Sequence, residues 1–171
     1  TDTAALDELK QSVYESKAIK YEDRAKTYAD KYNAAKAVVD AIKADNTWTT
    51  IDDKKAELAS LKSSFDADYS SYAKTDDKGN ITYDTDKLKE DGKLEEFNVR
   101  KKEIDALSDT VDKYDKAVKD MADSKDYVTI GADGKAVADP ANAKLKAEVD
   151  SENATIKSNS DAAIKASASA I

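Results

Sequence analysis

Apolar side chains return along this chain at intervals of seven. Between Ala4 and Lys43, Tyr14, Tyr21, Tyr28, Ala35 and Ile42 fall on one line, and Ala18, Ala25, Tyr32 and Val39 fall on a second. Two lines four residues apart are the a/d seam of a helix that buries a narrow stripe. The spacing predicts one helix over about 4–43, with each alanine leaving room for a partner to approach. Asp45 and Asn46 close it, and Asn46-Thr-Trp-Thr-Thr50 reads as a turn. Thr50 is a good N-cap, and Asp52 and Asp53 occupy the first turn, where acids favour the helix dipole. The second helix is predicted over about 50–73, with Ile51, Leu58, Phe65 and Tyr72 seven apart and Leu61 on the companion line. So short a turn between two amphipathic helices implies an antiparallel pair.

From 74 to 85 the pattern changes. Asp76-Asp-Lys-Gly-Asn80 is turn chemistry, and Ile81-Thr-Tyr83 alternates as a short strand does. A third helix is predicted over about 86–123, broken near Gly92, with a seam of Phe97, Ile104, Leu107, Val111, Tyr114, Val118 and Met121 that only Arg100 interrupts. Acid-first pairs such as Glu96–Arg100 and Asp115–Lys119 sit four apart on its outer face. A second insert over 127–138 carries the clearer hairpin signal: Tyr127-Val-Thr-Ile130, a Gly131 to Lys135 turn, then Ala136-Val-Ala138. Asp139 as N-cap and Pro140 at the first helical position open a fourth helix over about 140–168. Its seam is Leu145, Val149, Ile156 and Ala163, with Glu152, Asn159 and Ala166 alongside.

The expected fold is therefore all-α: an elongated antiparallel four-helix bundle or coiled coil, one domain over 1–171, with two short β-hairpin-like inserts. At 1.5 Å per residue the helices would be roughly 35–60 Å long, making a rod with the inserts at opposite ends.

Composition bears on this reading in two ways. Leu, Ile, Val and Phe make up only about 16% of the chain, below the ~20% line under which charged chains are usually disordered. Their placement outweighs their number, and a thin core suits a slender bundle. One proline and four glycines leave helices uninterrupted. The net charge of −8, with only Arg24 and Arg100 as arginines, argues against nucleic acid, which needs a basic patch. No apolar run approaches the ~20 residues that span a bilayer. With threonine in first position, any signal peptide or tag is expected to have been removed or to lie outside this chain.

The absence of histidine and cysteine removes Ser-His-Asp and Cys-His nucleophiles, zinc fingers and Glu-x-x-His di-iron sites. What remains is carboxylate, lysine, tyrosine and serine. Paired carboxylates read as a solvated face, since a glycosidase pair needs a cleft. Ser71-Tyr-Ala-Lys74 matches Ser-x-x-Lys and Ser151-Glu-Asn153 mimics its second motif, but neither lies on the expected fold and the third motif is missing. Asp76 to Ile81 echoes a calcium loop, yet Lys74 and Lys78 would fall at ligand positions. The heptad tyrosines read as core with their hydroxyls at the bundle edge. Trp48 reads as a cap on the bundle end, the alternative being an exposed anchor for a partner. Asn80-Ile-Thr82 and Asn153-Ala-Thr155 fit the N-glycosylation pattern, as chance matches would in so Ser/Thr-rich a chain.

The excess of Lys over Arg, the wealth of Ala, Asp, Ser and Thr, and the lack of cysteine resemble extracytoplasmic helical proteins of bacteria. That resemblance implies a secreted or cell-surface location. The expected function is a non-catalytic binding or stalk module with no cofactor or metal, engaging a protein partner or itself. Its recognition residues would be Asp77, Asn80, Ile81 and Tyr83 at one tip and Asp133, Lys135 and Val137 at the other, with Trp48 apart from both. The alternative is a structural subunit of a self-assembling filament, appendage or phage-type particle. An enzyme is not expected.

Overall fold

A computed structural model describes residues 2–170. The protein is mostly helical, with two small antiparallel strand pairs. In chain order it runs α1 (Asp2–Lys17), α2 (Tyr21–Lys43), α3 (Ile51–Tyr69), a 3-10 turn (Ser70–Tyr72), β1 (Ala73–Thr75), β2 (Ile81–Tyr83) and α4 (Thr85–Glu90). There follow α5 (Leu94–Lys125), β3 (Thr129–Ile130), β4 (Ala136–Val137) and α6 (Ala143–Ala170). The chain forms two compact units, one of Thr1–Lys36 with Lys119–Ile171, the other of Ala37–Val118.

In the unit 37–118 the expected seams meet. Leu58, Phe65 and Tyr72 from one stretch and Phe97, Ile104 and Val111 from α5 share a core with Tyr69 and Leu88. Phe97 is the hub of its aromatic part, with ring centroids 5.1 Å from Phe65, 5.0 Å from Tyr69 and 5.0 Å from Tyr83. The Thr50 hydroxyl accepts the Asp53 N–H at 3.1 Å and caps α3 as its sequence requires. Arg100 interrupts the seam because it bridges helices. Its guanidinium lies 2.8 Å from Asp68 and 5.1 Å from the centre of the Tyr69 ring. The predicted break at Gly92 is a full helix stop: Lys93 N–H donates to Leu88 and Gly92 N–H to Lys89. That pairing needs a left-handed residue, and Gly92 has φ +70°.

In the unit built on both chain ends, alanines carry the close approach. Ala25 is packed with Leu145 and Val149, and Ala29 with Val128 and Ala136. The tyrosines of α2 flank these contacts. The Tyr28 ring stacks on Tyr127 at 4.2 Å and its hydroxyl donates to Glu148, while Tyr21 donates to Asp150. Arg24 joins the same edge, 2.5 Å from Glu152.

Four expectations need correction. The first helix is two, because the Asn153 side chain replaces helical bonds at Ile19: its Oδ1 accepts the Ile19 N–H at 2.8 Å and its Nδ2 donates to the Ile19 carbonyl at 3.0 Å. Val118 is 44% exposed, and the buried line of α5 passes instead through Ala117, Ser124 and, beyond the helix, Val128. At 3.6 residues per turn Ala117 and Ser124 lie about half a turn round the helix from Phe97, so α5 buries a different face toward its end. In α6 Asn153 and Ser160 are buried rather than Glu152 and Asn159. Finally, Asp139 and Pro140 form a turn ahead of α6. The N-cap is Asn142, whose Oδ1 accepts the Leu145 N–H at 3.0 Å. Asp139 is committed elsewhere, accepting a bond from Thr129 at 2.8 Å.

Candidate functional site

The two hairpins are built on one five-residue turn. In the first, Asp76 N–H donates to the Asn80 carbonyl at 2.9 Å and Gly79 N–H to Asp76 at 3.0 Å. In the second, Gly131 N–H donates to Lys135 at 2.8 Å and Gly134 N–H to Gly131 at 3.0 Å. A turn of this kind ends in a left-handed residue, and Gly79 (φ +81°) and Gly134 (φ +80°) supply it. Carboxylates lock both. Asp76 Oδ1 accepts the Lys78 and Asn80 N–H groups at 2.9 and 2.8 Å, and Asp133 Oδ1 accepts the Lys135 N–H at 3.0 Å.

These bonds sort the proposed tip residues. Asp77 is exposed, and so is Ile81, at 58%. Asn80 is exposed, but its amide is tied to Asp76 Oδ2 at 3.2 Å. Tyr83 turns inward: its ring lies edge-on to Phe65 at 5.7 Å, so it is half-buried wall rather than tip. At the second hairpin Lys135 is exposed, Val137 is 56% exposed, and Asp133 is spent on the turn. The hairpins belong to different units, Asp77 to Tyr83 in one and Asp133 to Val137 in the other. Asn33 was not legible as a contributor. It holds the free edge of β4, accepting the Ala136 N–H at 2.7 Å and donating to its carbonyl at 2.9 Å.

Trp48 stands in the turn between α2 and α3, half-buried, with its ring 5.0 Å from that of Tyr114. It lines an open cavity of about 350 Å³ together with Ile42, Asp45, Lys54 and Leu107. The Asp45 carboxylate there accepts the Thr47 hydroxyl and N–H, which hold it below the usual carboxylate range. A second groove, of about 400 Å³, runs between α1 and α6. Leu6, Leu9 and Val13 face Ala163, Ile164 and Ser167 across it. Leu9 is 52% exposed.

Electrostatics move every shifted group away from neutrality. Burial and the Glu148 carboxylate push the Tyr28 hydroxyl up. Asp150 raises Tyr21, and Asp91 raises Tyr72. Asp76 is lowered by the Asn80 N–H and Asp123 by Lys119. Each therefore keeps its ordinary charge at pH 7, and none is tuned to pass a proton there.

Among the described residues no helix is long and apolar enough to cross a membrane. No protein-family model, curated protein or solved structure matches the chain.

Proposed function

We propose that this protein is a non-catalytic helical scaffold, secreted or held at the cell surface, that engages a protein partner through its hairpins. The observation carrying this reading is that each turn is fixed by a carboxylate and a left-handed glycine, yet leaves a large β-branched side chain outside. Ile81 and Val137 are both more than half exposed. A rigid turn presenting apolar side chains loses little freedom on binding, which favours recognition. The absence of histidine and cysteine and the outward direction of the titration shifts support a role without catalysis. The heptad spacing supports an elongated antiparallel bundle as the form of the scaffold. The location rests on composition alone.

The test is site-directed photo-crosslinking in the organism that makes the protein. A photoreactive residue at position 81 or 137 should yield a discrete adduct with a partner, while one at exposed helix position 59 or 102 should not. Adducts at the helix positions alone, or at none, refute the reading.

A second reading, a self-assembling structural subunit, is favoured by the open apolar groove between α1 and α6. Light scattering across concentration separates the two. A monodisperse monomer at tens of micromolar speaks against assembly, and polymers speak against a simple stalk.

A further inference from the structure

Trp48 is the only tryptophan of the chain, and indole is the aromatic ring that attracts a cation most strongly. Elsewhere the protein fills such faces itself. A Lys or Arg lies 4.8–5.9 Å from the ring centres of Tyr14, Tyr21, Phe65, Tyr69, Tyr72 and Tyr127. Among the described residues no cation lies over Trp48 in this way. The indole instead lines the open cavity of about 350 Å³, a volume at the small end of those that hold ligands. Tyr114 packs against the same ring but does not line the cavity, so it covers another part of the indole.

The charges around this cavity favour a positive ion. Asp45 is the one carboxylate among the described residues that line it. Its Oδ1 is occupied by the Thr47 N–H at 2.8 Å and the Thr47 hydroxyl at 2.6 Å, which keep the group ionised. Its Oδ2 accepts no hydrogen bond from a described residue and keeps its lone pairs for a ligand. The last turn of α2, whose end carries partial negative charge, lines the cavity through Ala41 and Ile42. Lys54 opposes these groups, but its ammonium is 3.1 Å from Glu57 and largely neutralised there. With its side chain only 13% exposed, Lys54 contributes chiefly an alkyl stem to the wall. Ile42 and Leu107 supply the rest of the apolar surface. The turn that carries the carboxylate and the ring is fixed, because the Trp48 N–H donates to the Asp45 carbonyl at 3.0 Å. Both groups are thus set before a ligand arrives.

We propose that this cavity is a binding site for a small alkylammonium group, its charge held by Asp45 and the Trp48 ring and its alkyl part by Ile42 and Leu107. The site is independent of the hairpin reading, since neither Asp45 nor Trp48 belongs to a hairpin.

The experiment titrates n-butylammonium chloride into the full chain through the millimolar range. Trp48 emission and the NMR methyl signals of Ile42 and Leu107 report binding. Sodium chloride controls for ionic strength, and n-butanol for filling of the cavity by an uncharged molecule of the same shape. The ammonium should give a saturable change, and the alcohol should bind several-fold more weakly. Asp45→Asn keeps the acceptor for Thr47 and removes the charge; it should weaken binding roughly fivefold. Trp48→Leu, read by the methyl signals, should weaken it roughly two- to fivefold. Lys54→Met keeps the stem and removes the opposing charge, so it should tighten binding, and it carries the test if the other variants do not fold. Nα-acetyl-lysine methylamide ends in the same butylammonium group: tighter binding than the free amine points to a polypeptide's lysine as the natural source, weaker binding to a free amine. The proposal is overturned if n-butylammonium does no more than sodium chloride, or if n-butanol binds as tightly. Unchanged affinity in Asp45→Asn, or weaker binding in Lys54→Met, overturns it as well.

Discussion

Phe97 is where the core of residues 37–118 can be tested most directly. Its side chain is 3% exposed and meets three aromatic rings at centroid distances of 5.0–5.1 Å. Losing the buried ring costs about 1.5–3 kcal/mol in transfer free energy alone. Each aromatic pair adds about 0.5–1.5 kcal/mol beyond area, and these contributions overlap because the rings also touch one another. The cavity left behind adds more, since Tyr69 is almost fully buried and cannot collapse into it freely. Phe97→Ala should therefore lower stability by about 3–5 kcal/mol, the range for deletion of a buried aromatic. Phe97→Leu keeps most of the volume and loses the ring contacts, so about 1–2 kcal/mol is expected. Urea unfolding followed by circular dichroism at 222 nm measures both, with the Phe65 to Tyr83 contacts serving as an internal check. Tyr83→Ala should also be costly while Ile81→Ser, at an exposed position, should stay within about 0.5 kcal/mol. A Phe97→Ala loss below about 1 kcal/mol would show that the ring cluster is not a packed core. So would equal losses for Tyr83→Ala and Ile81→Ser.

Three further predictions follow from single interactions. Tyr28 has a native pKa raised above its unfolded value of 10.0, mainly by burial and then by the Glu148 bond. Its contribution to stability is thus complete below pH 10 and is lost as pH rises through the native value; urea midpoints should fall above pH 10, and less steeply in Tyr28→Phe. Asp76 behaves oppositely: its pKa is depressed by the Asn80 and Lys78 N–H groups, so the first turn is fully stabilised above pH ~4 and loosens as pH falls through the depressed value. Amide shifts of Lys78 and Asn80 should track that titration by NMR, and Asp76→Ala should abolish it. Asn142→Ala removes the cap of α6 and the bond from its amide to the Asp126 carbonyl at 3.0 Å; it should cost about 1 kcal/mol in chemical denaturation, whereas Asp139→Ala should leave the start of α6 protected in hydrogen exchange.

Local chemistry was enough to place much of this protein. Heptad spacing located Leu58, Phe65 and Tyr72 against Phe97, Ile104 and Val111, because a helix of 3.6 residues per turn can bury only one narrow stripe. Thr50, Gly92 and the turn glycines marked their ends, because capping and positive φ are properties of a residue and its immediate neighbours. The tyrosines of α2 likewise had to keep their hydroxyls at an edge.

Tertiary structure decided what depends on residues far apart. Asn153 ends α1 from 134 positions away, and Asn33 holds the β4 edge from 103 away. Nothing in the sequence near either asparagine tells which backbone its amide will meet. Tyr83 sits in a strand that alternates toward a tip, yet two rings from other elements, Phe65 and Phe97, draw it inward. Periodicity says which face of a helix is apolar. It does not say which face a neighbour will cover farther along the helix, or which small residue it will press against, and so Val118 is exposed while Ser124 and Ser160 are buried.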